Sequence, residues 1–420
     1  MRRNALLSKD FLLVVAGQII SIFGNQIVRY ALPLYLLNET GSSALFGAVL
    51  ACAFLPMLVL FPVGGIIADR VNKRNIMVIL DFSTALLIAA VSLLAGAISI
   101  VPLVAVTMIL LYGIQGAYQP AVQASVPALL DAEHIMQGNS IVNLVTSLGS
   151  MIGPVVGGVL FSLFGLSPIL YVSAVCFLAS AVLEVFIRIP FAKQQASGNA
   201  IATGFKDLKG SFRFLFKERP VLWKLSLTYA SVNLLLTSLF LIGLPVLITQ
   251  HLGFAPDTAN RLYGYAQGVT ALGAVAGGLL AGAFAKRLKP TAGVFLLLGC
   301  AFSVLTGGLA LQLLHAPMGV YAVLALGGGL LVALSTVLQI QIMSSIQIQT
   351  PPALTGKVIA CVICICMCTN PLGQFIYGFV FAHIGRFAYL PFYAATLLML
   401  TITIATRSVF SRQNVSRETL

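Results

Sequence analysis

Twelve long, mainly apolar stretches follow one another through this chain, and they fix its solvent before anything else is considered. They run 11–38, 45–69, 76–97, 101–123, 138–163, 167–188, 223–250, 259–285, 292–314, 318–344, 357–383 and 388–407. A helix needs about 20 such residues to cross the hydrocarbon of a bilayer. Water is excluded as the main solvent by the charge content. Only 8% of the 420 residues are charged, where a soluble domain carries about 25%. The chain is therefore read as an all-α integral membrane protein with twelve transmembrane helices. The basic segment MRRNALLSKD precedes the first run, and no small-residue cleavage site follows that run. The first run is accordingly expected as a retained helix rather than a removed signal peptide.

The basic residues sort to one face. Of the 24 lysines and arginines, 21 fall before the first run, at or after the end of the last, or in or beside the even-to-odd connections. Arg261 and Arg386 fall on the opposite side, and Arg29 lies inside a span. The bias of positive charge toward cytoplasmic loops then puts both termini and the long middle connection inside the cell, in a multi-pass inner (plasma) membrane protein. This sorting explains a net charge of +13 as topology, and no nucleic-acid partner is expected. In the middle connection, Phe205, Leu208, Phe212 and Leu215 or Phe216 recur at helical spacing among lysines and arginines. That pattern predicts an amphipathic helix lying on the inner leaflet, with membrane lipid as its partner.

The chain also repeats itself. Gly64, Gly65, Ala68, Lys73 and Arg74 recur as Gly277, Gly278, Ala281, Lys286 and Arg287. Leu32-Pro33 recurs as Leu244-Pro245, and Gly153, Gly158, Phe161 and Gly165 as Gly373, Gly378, Phe381 and Gly385. The implied organisation is an N-terminal six-helix bundle (1–188), a cytoplasmic loop (189–222) and a C-terminal six-helix bundle (223–420). Two six-helix pseudo-repeats related in parallel are the architecture of one large class of secondary transporters.

Two motifs sharpen this. The loop after the second run reads GGIIADRVNKRNIMVILD. It resembles the signature loop of the major facilitator superfamily, and the copy at 277–287 fits that family's second half. Asp69 can accept hydrogen bonds at the positive N-terminal end of a cytoplasmic helix such as the eleventh, Arg70, Arg74 and Asp81 can form a charge cluster at the inner gate, and the resemblance implies that this cluster latches the inner face and breaks when it opens. Topology alone also accounts for basic residues here. The fifth run carries Gly149, Gly153, Pro154, Gly157 and Gly158, which resembles the antiporter motif of the same family. Glycines four residues apart form a ridge that lets helices cross closely, and Pro154 can bend the helix. Packing alone is the plainer account. The segments GQIISIFGNQIVRYALPLYLLNETGS, PAVQASVPALL and TGKVIA resemble the macrolide-efflux and siderophore-exporter branch, of the drug:proton antiporter type. Two departures stand out against that pattern. Asn25 occupies a place where many relatives carry an acid, and an arginine common in the fourth helix of proton antiporters is missing near Tyr112 and Gly113.

Polar groups within the spans mark the candidate site. Burying Arg29 at mid-membrane costs roughly 2.5–3.5 kcal/mol on insertion scales, so it should face the bundle interior. Gln18, Ser21, Asn25 and Arg29 share one helical face. That face should line a cavity, with Arg29 binding an acidic or carbonyl-rich substrate. A backbone carbonyl or the outer interface are the structural alternatives for Arg29. The resemblance places the first, fourth, seventh and tenth helices around the cavity, which selects Asn25, Arg29, Gln115, Asn233 and Gln339 as its lining. Glu184 stands four residues before Arg188, the spacing of a helical ion pair. The alternative is a proton-carrying carboxyl, for which Asp81 is the other candidate. Cys361, Cys364, Cys366 and Cys368 lie in an apolar helix with no histidine beside them, so soft packing is expected there and no metal or cofactor.

With no phosphate-binding lysine loop and no hydrolase motif, an enzyme or ATP-driven pump is not expected. The sequence predicts a secondary-active exporter of amphipathic small molecules, working by alternating access and coupled to proton antiport. An uncoupled or differently coupled transporter of a metabolite, siderophore or lipid is the alternative. A transporter-like receptor that signals without transport ranks below both.

Overall fold

The computed structural model describes residues 8–131, 134–189, 214–284 and 291–418. Within them, the side chains at 66, 69, 136, 352, 353, 355–357, 360 and 411–418 lie outside the description. Twelve helices in the described residues are long and apolar enough to cross a membrane. They are α1 (Lys9–Thr40), α2 (Ser43–Arg70), α3 (Lys73–Leu94), α4 (Ile100–Leu129), α5 (Ile135–Phe164) and α6 (Leu166–Val185). After the middle connection come α7 (Pro220–His251), α8 (Pro256–Ala283), α9 (Ala292–Leu313), α10 (Pro317–Gln349), α11 (Pro352–Ile384) and α12 (Leu390–Glu418).

Local chemistry sets the ends. Ser8 caps α1 by accepting from the Phe11 amide, and Gly41 ends it in the left-handed region at φ 62°. A residue with a Cβ would be strained there. Ser42 and Asn72 cap α2 and α3 in the same way as Ser8. Helix α4 runs to Leu129, beyond the apolar run that ends near 123. Gln119, Gln123 and Ser125 lower the hydropathy there without breaking the helix, so it continues past the hydrocarbon. Large apolar side chains such as Leu93, Phe295 and Ile404 are three-quarters or more exposed, or nearly so. Lipid is the solvent they meet.

The chain forms two compact units. The first comprises Met1–Ala196 with Ala255–Gly268, and the second Ser197–Phe254 with Val269–Leu420. In the first, α2 crosses α4 at backbone contact. A Cβ on Gly64 would sit 2.8 Å from the Ala117 Cα, and one on Gly116 would sit 2.9 Å from the Met57 oxygen. In the second, a Cβ on Gly273 would fall on the Gly329 carbonyl, and one on Gly277 on the Ala333 carbonyl. Thus Gly64 and its sequence counterpart Gly277 each seat their helix on the backbone of the helix two further on. A side chain in either place would force the pair apart.

Helix α7 is not uniform. Two wide π-helical turns, Asn233–Thr237 and Leu247–His251, bracket an α-helical segment at Ser238–Val246. The first is held from α11, where Tyr377 donates to the Leu235 carbonyl at 2.6 Å and Gly373 leaves room for Ser238. The predicted amphipathic helix falls mostly within 190–213 and so lies outside the described residues. From Phe214 to Glu218 the chain forms another wide turn, with Phe214 and Leu215 buried and Phe216 edge-on to Trp223.

Candidate functional site

The polar face of α1 meets α4 rung by rung. Gln18 Nε2 donates to the Tyr118 hydroxyl at 2.6 Å. Asn25 Nδ2 donates to Gln115 Oε1 at 3.0 Å. The Arg29 guanidinium lies 3.8 Å above the ring of Tyr112. Positions 112, 115 and 118 are three residues apart on α4, and 29, 25 and 18 ascend the facing side of α1. The two helices run in opposite directions, so helical spacing on each produces the ladder. Arg29 is thus stacked on Tyr112, with no hydrogen bond to a backbone carbonyl among the described residues. A guanidinium over an aromatic face is weakly held, at about 0.5–2 kcal/mol, and its N–H groups stay free for another partner.

At the Gln18 end of the ladder lies a buried acid cluster. The Tyr118 hydroxyl, while accepting from Gln18, donates to Glu184 Oε1 at 2.7 Å. Ser21 donates to Asp81 Oδ1 at 3.2 Å. Glu184 is 0% exposed and Asp81 2%. Their second oxygens, Glu184 Oε2 and Asp81 Oδ2, have no hydrogen-bond partner, and neither does Gln18 Oε1. The helices that carry the two acids, α3 and α6, pack against each other. Gly17 makes the room for the cluster, since a Cβ there would approach the Ser180 hydroxyl at 3.3 Å and Glu184 Cγ at 3.4 Å.

Two expectations change here. Glu184 does not pair with Arg188, because α6 ends at Val185 and Arg188 leaves the helix. The Arg188 amide instead donates to Asp10 Oδ1 at 2.9 Å. Asp81 does not join Arg70 and Arg74. It is buried beside Ser21, while Arg70 is exposed and the Arg74 guanidinium donates to the Val185 carbonyl, tying the start of α3 to the end of α6. The Asp69 side chain lies outside the described residues. Tyr118, which joins the acid cluster to α1, is the functional residue that the sequence reading missed. Its place three residues after Gln115 was the available signal.

The glycine ridge of α5 packs on α1. A Cβ on Gly149 would strike Ile22, and one on Gly153 would strike Gln26, whose Nε2 donates to Ser150 at 2.8 Å. Gly157 faces Tyr30 and Ile27. Gly158 lies against Gly264, where an added Cβ would be 2.9 Å from the Gly264 Cα, and the Pro154 carbonyl lies under Gly264 in turn. Tyr30 closes this corner by donating to the Asn260 carbonyl at 2.6 Å and stacking on Tyr263 at 5.0 Å.

In the second unit, Asn233 sits in the first wide turn of α7. Its Nδ2 reaches the Tyr229 carbonyl at 3.3 Å, and its own carbonyl accepts from Ser238 Oγ at 2.9 Å. Gln339 is exposed on α10. Among the described residues, no group of three or more His, Cys, Asp or Glu side chains could hold a metal ion. Cys361 and Cys366 are buried on α11.

A family model described as the Major Facilitator Superfamily matches residues 14–368. The chain is 27% identical to the enterobactin exporter EntS of Shigella flexneri over 354 residues, covering 83% of this chain and 79% of that protein. It is 24% identical to macrolide efflux protein A of Streptococcus pyogenes over 181 residues, 43% of this chain and 45% of that one. It is 26% identical to the MFS-type transporter YfiS of Bacillus subtilis (strain 168) over 216 residues, 51% of each. The chain thus spans about half the length of these last two relatives. Among solved structures, a bacterial homologue of the iron transporter ferroportin, in its inward-facing state, matches with a TM-score of 0.72 at 15% identity. That match covers 96% of this chain and 99% of that one. The D-xylose-proton symporter matches at 0.68 and 15% identity, covering 94% and 96%. At these identities the solved structures show the shared fold.

Proposed function

The chain belongs to the major facilitator superfamily, and we propose that it exports amphipathic small molecules by proton antiport, with Asp81 and Glu184 as the proton-holding pair. That it is a multi-pass transporter rather than an enzyme follows from the family; the substrate class and the coupling are the proposal.

The observation that carries the coupling is the buried acid cluster. An uncompensated carboxylate in a dry interior costs several kcal/mol, and two such groups side by side repel each other. No cation faces Asp81 or Glu184 among the described residues, and each keeps one oxygen unpartnered. The arrangement is stable with at least one proton on the pair. Losing that proton requires the surroundings to open to water, which an alternating-access transporter does on one side at a time.

The ladder on α1 supports a link to substrate. The acids meet Gln18 and Ser21, and the other rungs are Asn25 and Arg29, all on one helix. Asn25, Arg29 and Gln115 in the first unit and Asn233 and Gln339 in the second are the proposed substrate contacts, with Arg29 receiving an acidic or carbonyl-rich group. Asp69 and Arg70, with Arg74 on the end of α6, are the proposed inner latch. The glycine ridge from Gly149 to Gly158 and the names of the efflux relatives both favour export. Tyr112, standing near where many proton antiporters carry arginine, favours the second reading, an uncoupled or differently coupled transporter.

The test is substrate-driven proton movement in proteoliposomes under an imposed pH gradient, with a panel of lipophilic drugs and siderophore-like acids. Wild type, Glu184→Gln and Asp81→Asn are compared. Proton flux lost with substrate binding kept supports antiport through the pair. Substrate flux with no proton movement in any of the three proteins removes the antiport claim.

A further inference from the structure

One end of the second unit holds a cavity lined by none of the proposed substrate contacts. The α7–α8, α9–α10 and α11–α12 connections enclose about 320 Å³ there, a volume at the lower end of small-ligand sites. Its polar wall is His251, His315, Arg386 and Tyr389, and its apolar wall includes Leu311 and Leu314. Three nitrogen bases line it and no carboxyl does.

The wall is built rather than incidental. His251 closes the second wide turn of α7, and its Nε2 lies 3.2 Å from the Gly385 carbonyl. That contact joins the end of α7 to the turn that carries Arg386. Gly385 holds that turn in the left-handed region at φ 51°, where a side chain is strained. Arg386 is exposed, and its guanidinium lies 5.1 Å from the Phe387 ring centre.

Charge placement makes this position informative. On the topology that the basic residues predict, this end faces outward, where arginine is disfavoured. Of the 24 basic residues, only Arg261 and Arg386 belong to that side. Apolar side chains there are open to the surroundings, with the lining residue Leu314 44% exposed and its chain neighbours in the same connections, Phe387 and Met318, 44% and 54%. A cationic pocket with an apolar rim at a membrane surface fits an amphiphile with an acidic head. We infer that this cavity binds a phosphate or phosphodiester anion, through Arg386, His315 and Tyr389.

Two sources supply that chemistry, an acidic phospholipid and free phosphate, and one experiment separates them. The purified full-length protein is delipidated and offered phosphatidylglycerol or phosphatidylcholine of the same acyl chains, and retained lipid is counted by native mass spectrometry. In parallel, inorganic phosphate is tested for a rise in thermal midpoint. The expected result is a preference for the acidic lipid of about fivefold per cation engaged. It drops by about that factor in Arg386→Gln/His315→Gln, the remaining preference belonging to the basic middle connection, and is kept in Arg386→Lys and in Arg261→Gln. The Arg386→Lys protein keeps the test valid should the double variant fail to fold. Lipid preference without a phosphate effect assigns a lipid headgroup, and a phosphate effect lost in the double variant assigns a free anion. Equal retention of both lipids with no phosphate effect overturns the inference. So does a preference that the double variant leaves undiminished, or one that Arg261→Gln lowers equally.

Discussion

Replacing Tyr118 with phenylalanine tests the charge state of the acid cluster through its stability. The hydroxyl makes two buried hydrogen bonds, accepting from Gln18 at 2.6 Å and donating to Glu184 at 2.7 Å. Phenylalanine fills the same space and removes both. A hydrogen bond between uncharged groups contributes about 0.5–1.5 kcal/mol, and one to a charged group about 1.5–3 kcal/mol. Interhelical bonds measured in a membrane protein average about 0.6 kcal/mol. With a neutral Glu184, the two bonds together give a loss of about 1–2 kcal/mol. With an ionised Glu184, the same removal strips a buried carboxylate of its one donor, and the loss rises to about 3 kcal/mol or more. The proton-holding reading requires the smaller value. The assay is reversible unfolding in mixed micelles of mild and denaturing detergent, run as a double-mutant cycle with Glu184→Gln. A neutral acid and its amide are near-isosteric, so the expected coupling energy is under about 1 kcal/mol. A loss near 3 kcal/mol with a coupling above about 2 kcal/mol would refute the reasoning, because Glu184 would then carry charge at rest. Tyr118→Phe should keep substrate-driven proton release, which Glu184→Gln should lose.

Gly273→Val drives a side chain into the Gly329 carbonyl and should cost about 1–3 kcal/mol or more, whereas Gly278→Val, with nothing within 4 Å of its added Cβ, should leave the thermal midpoint unchanged. Gly153→Leu meets Gln26 on α1 and should impair transport at normal expression; full transport would show that the close approach of α5 to α1 is dispensable for it. Tyr377→Phe frees the Leu235 carbonyl and should destabilise by about 1 kcal/mol, read by detergent unfolding. Arg29→Gln should weaken an acidic substrate about tenfold in equilibrium binding while sparing a neutral one, and equal losses for both would remove the anion-binding role.

Most of the architecture was legible because hydrophobic length has one physical meaning in a chain with so few charges. The spans and the repeat of Gly64 in Gly277 could be read from spacing, since both report how a helix meets lipid or another backbone. The acid cluster could not. The four-residue spacing of Glu184 and Arg188 implies an ion pair only while the helix continues, and the chain leaves the helix at Phe186. Asp81 is near Arg74 in sequence yet lies two helical turns deeper, and burial beside Ser21 decides its partner. Tyr118 looks like any aromatic in an apolar run until α1 and α6 are placed against it. The wide turns of α7 were equally hidden, because hydropathy is blind to one extra residue per turn.

Those wide turns give α7 a property the other eleven spans do not show among the described residues. Each carries backbone bonds five residues long, from the Ser238 amide to Asn233 and from the Leu252 amide to Leu247, and Ser238 Oγ and His251 Nδ1 add side-chain contacts there, at 2.9 Å from the Asn233 carbonyl and 3.5 Å from that of Val246. When a wide turn tightens to an α-turn, everything beyond it advances by one register, about 100° of rotation and 1.5 Å of travel. The nine residues Ser238–Val246 therefore hang between two swivels. They form a spindle that can present a different side to its neighbours while its own internal hydrogen bonds stay intact.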